Sequence, residues 1–226
     1  MMTFIHGIFP NLDRASDQLM RSLVQTLQMV FGSGIISFVL GIFFGVCLVV
    51  MRRGGIMQNL VLYTILEKTI NIIRSVPFLI LIILLIPLSR MIMGTSIGVA
   101  GAIVPLVIGT VPFYSRQVET AVSEVDDGLV EASIAMGMSP LQIIWRVYLR
   151  ESIPALARVT QITAINLINL ATLAGAVGAG GLGDFAIRFG HQHNMRDLMW
   201  LTIAIILIMV SIVQGLGNVV IKRTTR

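Results

Sequence analysis

The sequence predicts an all-α membrane protein that crosses the bilayer with five helices, its amino terminus outside and its carboxyl terminus in the cytoplasm. Three observations predict this. Of the 226 residues, 56% are hydrophobic and only 12% charged, whereas soluble domains carry about 25% charged residues. Uncharged runs of 30, 25, 25 and 24 residues occupy Ser22–Met51, Met91–Ser115, Val159–Gly183 and Leu198–Ile221, and about 20 residues cross a bilayer. The Lys and Arg residues divide unequally between the two sides that this arrangement defines.

Taken in order, residues 1–22 form an outer segment. They mix Asp13, Arg14 and Asp17 with no apolar stretch and no small-residue cleavage site, so the first span, drawn at 23–50, is expected to be retained rather than cleaved. Cys47, the single cysteine, falls inside it and excludes an intrachain disulfide. A second span is drawn at 67–88. Its uncharged core, Ser75–Ser89, has only 15 residues, about 22 Å of helix against a core of about 30 Å, so it must extend back past Arg74. The remaining spans are drawn at 96–115, 159–178 and 198–219, giving a single transmembrane domain over 23–219 and a short tail at 220–226.

With these spans the inner segments hold Arg52, Arg53, Lys68, Arg116, Arg146, Arg150, Arg158, Lys222, Arg223 and Arg226, and the outer ones Arg14, Arg21, Arg90, Arg188 and Arg196. That excess puts the carboxyl terminus inside and accounts for most of the net charge of +5. A nucleic-acid surface is not needed to explain it.

One connection is long. Residues 116–158, placed in the cytoplasm, hold Glu119, Glu124, Asp126, Asp127, Glu131 and Glu151, six of the eleven acids. Asp126-Asp127-Gly128 reads as a turn, Glu131–Met138 as a short helix stopped by Gly137 and Ser139-Pro140, and Leu141–Leu149 as a second helix with Leu141, Ile144, Val147 and Tyr148 on an apolar stripe. A helix of that length is unstable alone in water and needs a receiving surface.

Glu131-Ala-Ser-Ile-Ala-Met-Gly137, followed after nine residues by Val147-Tyr-Leu149, resembles the EAA signature of ABC importer permeases. Ser133 stands for the second Ala, Val147 for Ile and Arg150 for Pro. Asn71-Ile-Ile-Arg-Ser-Val-Pro77, Gly94-Thr-Ser-Ile-Gly98, Ala102-Ile-Val-Pro105, Pro140-Leu-Gln-Ile-Ile144 and Gly175-Ala-Val-Gly-Ala-Gly-Gly-Leu-Gly183 narrow the resemblance to the methionine-import (MetI-like) permeases of binding-protein-dependent, type I importers.

The resemblance implies a homodimer in the bacterial inner membrane. Each subunit docks a coupling helix, here about Gly128–Ser139, on one of two copies of a cytoplasmic ABC ATPase, and an extracytoplasmic substrate-binding lipoprotein delivers the solute. Glu131, Ala132, Ser133, Ala135, Met136, Gly137 and Ser139 are then the ATPase-coupling residues, and Leu173 takes the position that narrows the path. The chain has no G-x-x-x-x-G-K-[ST] loop, so ATP and Mg are expected on the partner ATPase and no cofactor on this chain. It is expected not to be an enzyme.

Other polar residues carry two readings each. Glu131 either accepts hydrogen bonds from an ATPase arginine or favours the amino end of its own helix; Gly137 either admits close approach or stops the helix. Arg74 either faces a cavity or snorkels to the headgroups. Asn166 and Asn169 share a face with Leu173 and either line the path or bond between helices. His191 and His193, with no further ligand nearby, read as a solvated loop rather than a metal site, and the scattered methionines as gap fillers. Gly178, Gly180 and Gly183 have the G-x-G-x-x-G spacing, but they follow an apolar helix and no acid lies about 20 residues on, which removes the dinucleotide reading. They are expected to end a span at the outer mouth, with Asp184 as a docking contact for the binding protein. Other solutes fit the same architecture. A self-sufficient secondary transporter would need an internal repeat and acids in its spans, but the sequence shows no repeat and no acid in the first, third, fourth or fifth span; an enzyme would need a nucleophile, base and metal constellation, and none can be assembled.

Overall fold

The computed structural model describes residues 11–224, apart from the side chains of residues 12–14. The expected outer segment 1–22 and the tail 220–226 therefore lie partly outside the described residues. Every regular element among the described residues is helical. Among the described residues the helices longer than one turn are α1 Leu12–Met51, α2 Leu60–Ser75, α3 Phe78–Leu84, α4 Ile86–Met93, α5 Gly98–Ser123, α6 Asp127–Ala135, α7 Pro140–Ile143, α8 Ile153–Ala174, α9 Gly181–Phe185 and α10 Arg196–Thr224, with a three-residue turn of helix at Leu149–Glu151. Wider, π-type turns follow α7 (Ile144–Tyr148), α8 (Gly175–Ala179) and α9 (Ala186–Gln192).

Among the described residues four helices are long and apolar enough to cross a membrane: Ala15–Met51, Gly98–Ser123, Ile153–Ala179 and Arg196–Thr224. The region drawn as a span at 67–88 is not one helix. Pro77 disfavours helical backbone at the residue before it, and Val76 is extended with φ −84° and ψ 123°. The chain restarts as α3 and α4, with Leu85 between them and Gly94 ending α4 at φ 73°.

The chain forms two packed units, and each of the four long helices contributes to both. The first holds the described residues up to Ile35 with Pro77–Val107 and Ala164–Gln214. Its core joins Met29, Ala102, Leu106, Leu167, Ala171 and Ala174, with a second cluster of Ala15, Phe185 and Leu198. On α1, Ser22, Thr26, Met29 and Ser33 make a buried stripe at i, i+4, i+7 and i+11, the spacing of one helical face. The hydroxyls of Thr26 and Ser33 are satisfied in place, Thr26 donating to the Ser22 carbonyl at 3.0 Å and Ser33 to that of Met29 at 2.6 Å.

The second unit holds Ile36–Val76, Ile108–Thr163 and Gly215 onward. Val46, Val49, Val50, Tyr114, Val118, Val122, Val130, Ile143 and Tyr148 form its core. Arg116, on α5, extends the polar connections of this unit. Its guanidinium donates to Glu119 at 2.6 Å, to Asn71 at 3.0 Å and to Glu67 at 3.3 Å, the latter two on α2. Because these partners compensate its charge, α5 continues as helix to Ser123 beyond the uncharged run. The sequence reading placed Arg116 only as a topology charge.

Candidate functional site: a short capped helix and a polar helix face

α6 is assembled from the residues of the EAA-like stretch. Asp126 is its amino-terminal cap, its carboxylate accepting from the Gly128 amide at 2.8 Å, a contact that satisfies one orphan donor of the first turn. The helix ends at Gly137, whose φ of 78° is left-handed, and the Met138 amide returns to the Ser133 carbonyl at 3.1 Å. Ser139 and Gln142 then cap α7 reciprocally, Gln142 N–H donating to the Ser139 hydroxyl at 3.4 Å and Ser139 N–H to the Gln142 side chain at 2.9 Å.

Two inward residues hold α6 to the second unit: Val130 in the core, and Ser133, 4% exposed, whose hydroxyl donates to the Leu129 carbonyl at 2.7 Å. Of the expected coupling residues, Ser133 thus offers no side chain to a partner. Glu131, Ala132, Ala135, Met136, Gly137 and Ser139 are exposed. So are Leu129, Ile134, Leu141 and Trp145, the last 70% exposed. The sequence reading missed these four as surface. Of the apolar stripe Leu141, Ile144, Val147 and Tyr148, Tyr148 is buried, Ile144 and Val147 are half-buried and Leu141 is exposed, while Ile143, off the stripe, packs in the core; from Ile144 the chain runs as a wider π-type turn, which departs from the 3.6-residue spacing of the stripe. Tyr148 closes the core there, and burial pushes its phenol above its ordinary value.

Gly137 has open space where a Cβ would stand. Within the chain, then, its left-handed backbone and not crowding requires glycine. Gly137→Ala is expected to cost about 1–2 kcal/mol, and Gly137→Asn, which tolerates that backbone, clearly less. Thermal unfolding of the purified protein checks the order; equal losses would show that the conformation is not what matters.

A second set lies on α8, in the first unit. Asn169 and Leu173 are exposed and Asn166 half-buried, while Leu167, Ile168, Ala171 and Ala174 pack inward. The polar face is therefore turned away from the chain's own core. Arg74 is near the carboxyl end of α2, exposed, and has no ion-pair partner among the described residues.

The glycine-rich stretch is neither a phosphate loop nor open. After α8 the chain turns through Gly178 at φ 103°, Gly180 at φ 80° and Gly181 at φ 80°. Gly181 N–H donates to the Gln25 side chain and Leu182 N–H to the Thr26 hydroxyl, both at 2.8 Å. The free amides at the start of α9 are thus taken by α1. Asp184 is ion-paired with Arg188 on the following turn, so its charge is already engaged. Among the described residues no cluster of His, Cys, Asp or Glu could hold a metal; His193 instead stacks on Phe189 at 5.6 Å.

Residues 37–225 match the family described as "Binding-protein-dependent transport system inner membrane component". The chain is 43% identical over 208 residues to the "Probable D-methionine transport system permease protein MetI" of Vibrio cholerae, covering 92% of each. It is 49% identical over 138 residues to the "D-methionine transport system permease protein MetI" of Escherichia coli, 61% of this chain and 64% of that one. Among solved structures it is similar to a chain of the MetNI methionine ABC transporter in inward-facing conformations, at 41% identity and a TM-score of 0.91, covering 94% of this chain and 99% of that one. "Crystal structure of an amino acid ABC transporter with histidines" shares the fold at 19% identity and a TM-score of 0.78, over 95% and 98%. Long apolar helices, a capped short helix carrying the EAA-like residues and these similarities agree: the chain belongs to the family of inner-membrane components of binding-protein-dependent transport systems, the permeases of ABC importers.

Proposed function

We propose that this chain is the transmembrane permease of an ATP-driven importer for methionine and related derivatives. It works as a homodimer with two copies of a cytoplasmic ABC ATPase and an extracytoplasmic substrate-binding lipoprotein. The observation that carries this reading is α6: a nine-residue helix that buries Val130 and Ser133 and turns Leu129, Ile134 and Met136 outward beside Glu131. A helix so short, with that apolar exposure, is suited to a receiving groove on another protein. Methionine is supported by the relatives' names.

In this reading α2 to α4 together make a broken fifth span over about 67–88, the amino terminus is outside, and 116–158 is the cytoplasmic coupling segment. ATP and Mg bind the ATPase and supply the closure of its two subunits. That movement reaches α6, and Val130 passes it to the core it shares with Val118, Val122 and Tyr148, so the bases of α5 and α8 move with α6. Packed cores transmit such displacements because they deform little. Two copies of the α8 face formed by Asn166, Asn169 and Leu173 then border the path, Leu173 as its apolar narrowing. Arg74, exposed near the end of the first half of the broken span, faces that path or the headgroups, and the segment of Asp184 faces the binding protein.

The test is reconstitution with both partners in proteoliposomes. ATP-dependent accumulation of labelled methionine, competed by unlabelled D-methionine, is expected; preferential accumulation of an unrelated amino acid would overturn the substrate, and uptake without ATP the mechanism. Leu173→Trp is expected to slow uptake by about tenfold while leaving ATPase association unchanged, a barrier increase of about 1.4 kcal/mol. A wild-type rate would remove the gate assignment.

A further inference from the structure

Beside α6, in the same unit, the chain forms a hollow of about 350 Å³ lined by Glu124, Asp126, Leu129, Glu151, Ser152 and Arg158, among others. Three carboxylates stand on its wall against one guanidinium. None of these four groups makes an ion pair among the described residues, so the hollow keeps an excess of two negative charges. Asp126 spends one oxygen on the Gly128 amide; Glu124 and Glu151 are exposed. Ser152, also in the lining, is 2% exposed and its hydroxyl is buried with no hydrogen-bond partner among the described residues. Buried hydroxyls without partners are uncommon in folded proteins and call for an explanation. Three of the six acids of segment 116–158, Glu124, Asp126 and Glu151, thus line this hollow, and neither the EAA resemblance nor the outward face of α6 uses them.

We propose that this hollow receives a cationic side chain, an arginine, from the cytoplasmic ATPase, as a second anchor beside the α6 contact; the inference rests on the coupling role proposed above. The chemistry favours that occupant. A guanidinium is planar, carries five N–H donors and no acceptor, and the lining offers carboxylate oxygens from Glu124, Asp126 and Glu151, with Ser152, whose buried hydroxyl lacks a partner, in the same wall. Leu129, which also lines the hollow, is exposed on α6, so the anchor is continuous with the surface that meets the partner. With its guanidinium fixed at this point, α6 is held against rotation as well as translation, and a pull from the ATPase reaches both the end of α5, through Glu124, and the start of α8, through Glu151 and Ser152.

The experiment uses the full permease in lipid nanodiscs and its purified ATPase subunit, with affinity measured across a salt series for wild type, Glu131→Arg, the double variant Glu124→Gln with Glu151→Gln, and Glu151→Asp. The double variant is expected to bind the ATPase about tenfold more weakly at low salt, in the range that loss of a close interfacial charge pair produces, and to lose most of the salt dependence that screening gives the wild type. Glu151→Asp, which keeps the charge, should bind at near wild-type affinity and retain the salt dependence, as a merely structural role for the side chain would not. Wild-type affinity and an unchanged salt slope in the double variant overturn the anchor while leaving the coupling role intact. If wild type binds no ATPase, or Glu131→Arg binds as well as wild type, the coupling role itself fails, and the two failures are distinguishable.

Discussion

Glu131→Arg is expected to strip the ATPase from the purified permease by about tenfold or more and to abolish ATP-dependent uptake, with the permease still folded. The fold should survive because Glu131 is exposed and the helix is held from its other side by Val130 and Ser133. Glu131 is the fifth of the nine residues of α6, past the first turn, so reversing its charge costs the helix less than the about 0.3–1 kcal/mol that the dipole gives at a terminus, and the caps at Asp126 and Gly137 are untouched. At an interface the same change sets like charges together if the partner presents a cation, which costs several kcal/mol, and each 1.4 kcal/mol is about a factor of ten in affinity. Copurification in mild detergent, with size-exclusion of the permease alone as the folding control, separates the two effects. Glu131→Gln should fall between, losing attraction without adding repulsion. Undiminished copurification and uptake in Glu131→Arg would remove α6 as the coupling contact.

How much of this could be read from the residues depends on what each feature rests on. The long helices follow from charge-free runs, because 24 or more uncharged and mostly apolar residues in a row are the length and chemistry of a membrane span. Their ends were less legible. α1 begins at Leu12, well before the uncharged run, since a helix can start in polar sequence. α5 passes Arg116 because Glu67 and Glu119 neutralise it and the Asn71 amide oxygen accepts from it, and two of those partners are more than 40 residues away. The EAA-like residues placed the short helix, but not its face: Ser133 lies inward and Leu129, Ile134 and Trp145 outward, an outcome set by where Val130 finds the core. The glycines of 175–183 showed that close packing was wanted there. They did not show that Gln25 and Thr26, on a helix some 150 positions earlier, would cap α9.

Gly45→Leu is expected to destabilise the protein by about 3 kcal/mol or more, and Gly45→Ala by about 1–3, the usual range for overpacking a filled interior. A Cβ at Gly45 would stand 2.5 Å from the Val118 Cβ and 2.7 Å from the Ser115 carbonyl oxygen. The second neighbour is backbone of α5 and cannot rotate away, so the helices themselves must separate. Membrane helices associate through such close approaches, because hydrophobic burial offers little between two apolar surfaces already in lipid. The neighbouring Gly41, whose Cβ would meet the Tyr114 ring, repeats the arrangement one turn earlier, so relief at one glycine is blocked by the other. Gly215→Ala is the control. Gly215 also lies within a long helix, α10, but has no heavy atom within 4 Å of a built Cβ, and alanine there should be neutral or gain up to about 1 kcal/mol from helix propensity. Thermal unfolding of detergent-solubilised protein reads both. Equal stability of Gly45→Ala and Gly215→Ala would mean that α1 and α5 do not touch through backbone. The consequence reaches function, because α5 ends at Ser123, four residues before α6 begins. On the proposed coupling through α6, a variant that loosens α1 from α5 but still folds should support ATP hydrolysis by the ATPase yet import poorly, since the strut proposed to carry displacement from α6 would no longer be braced.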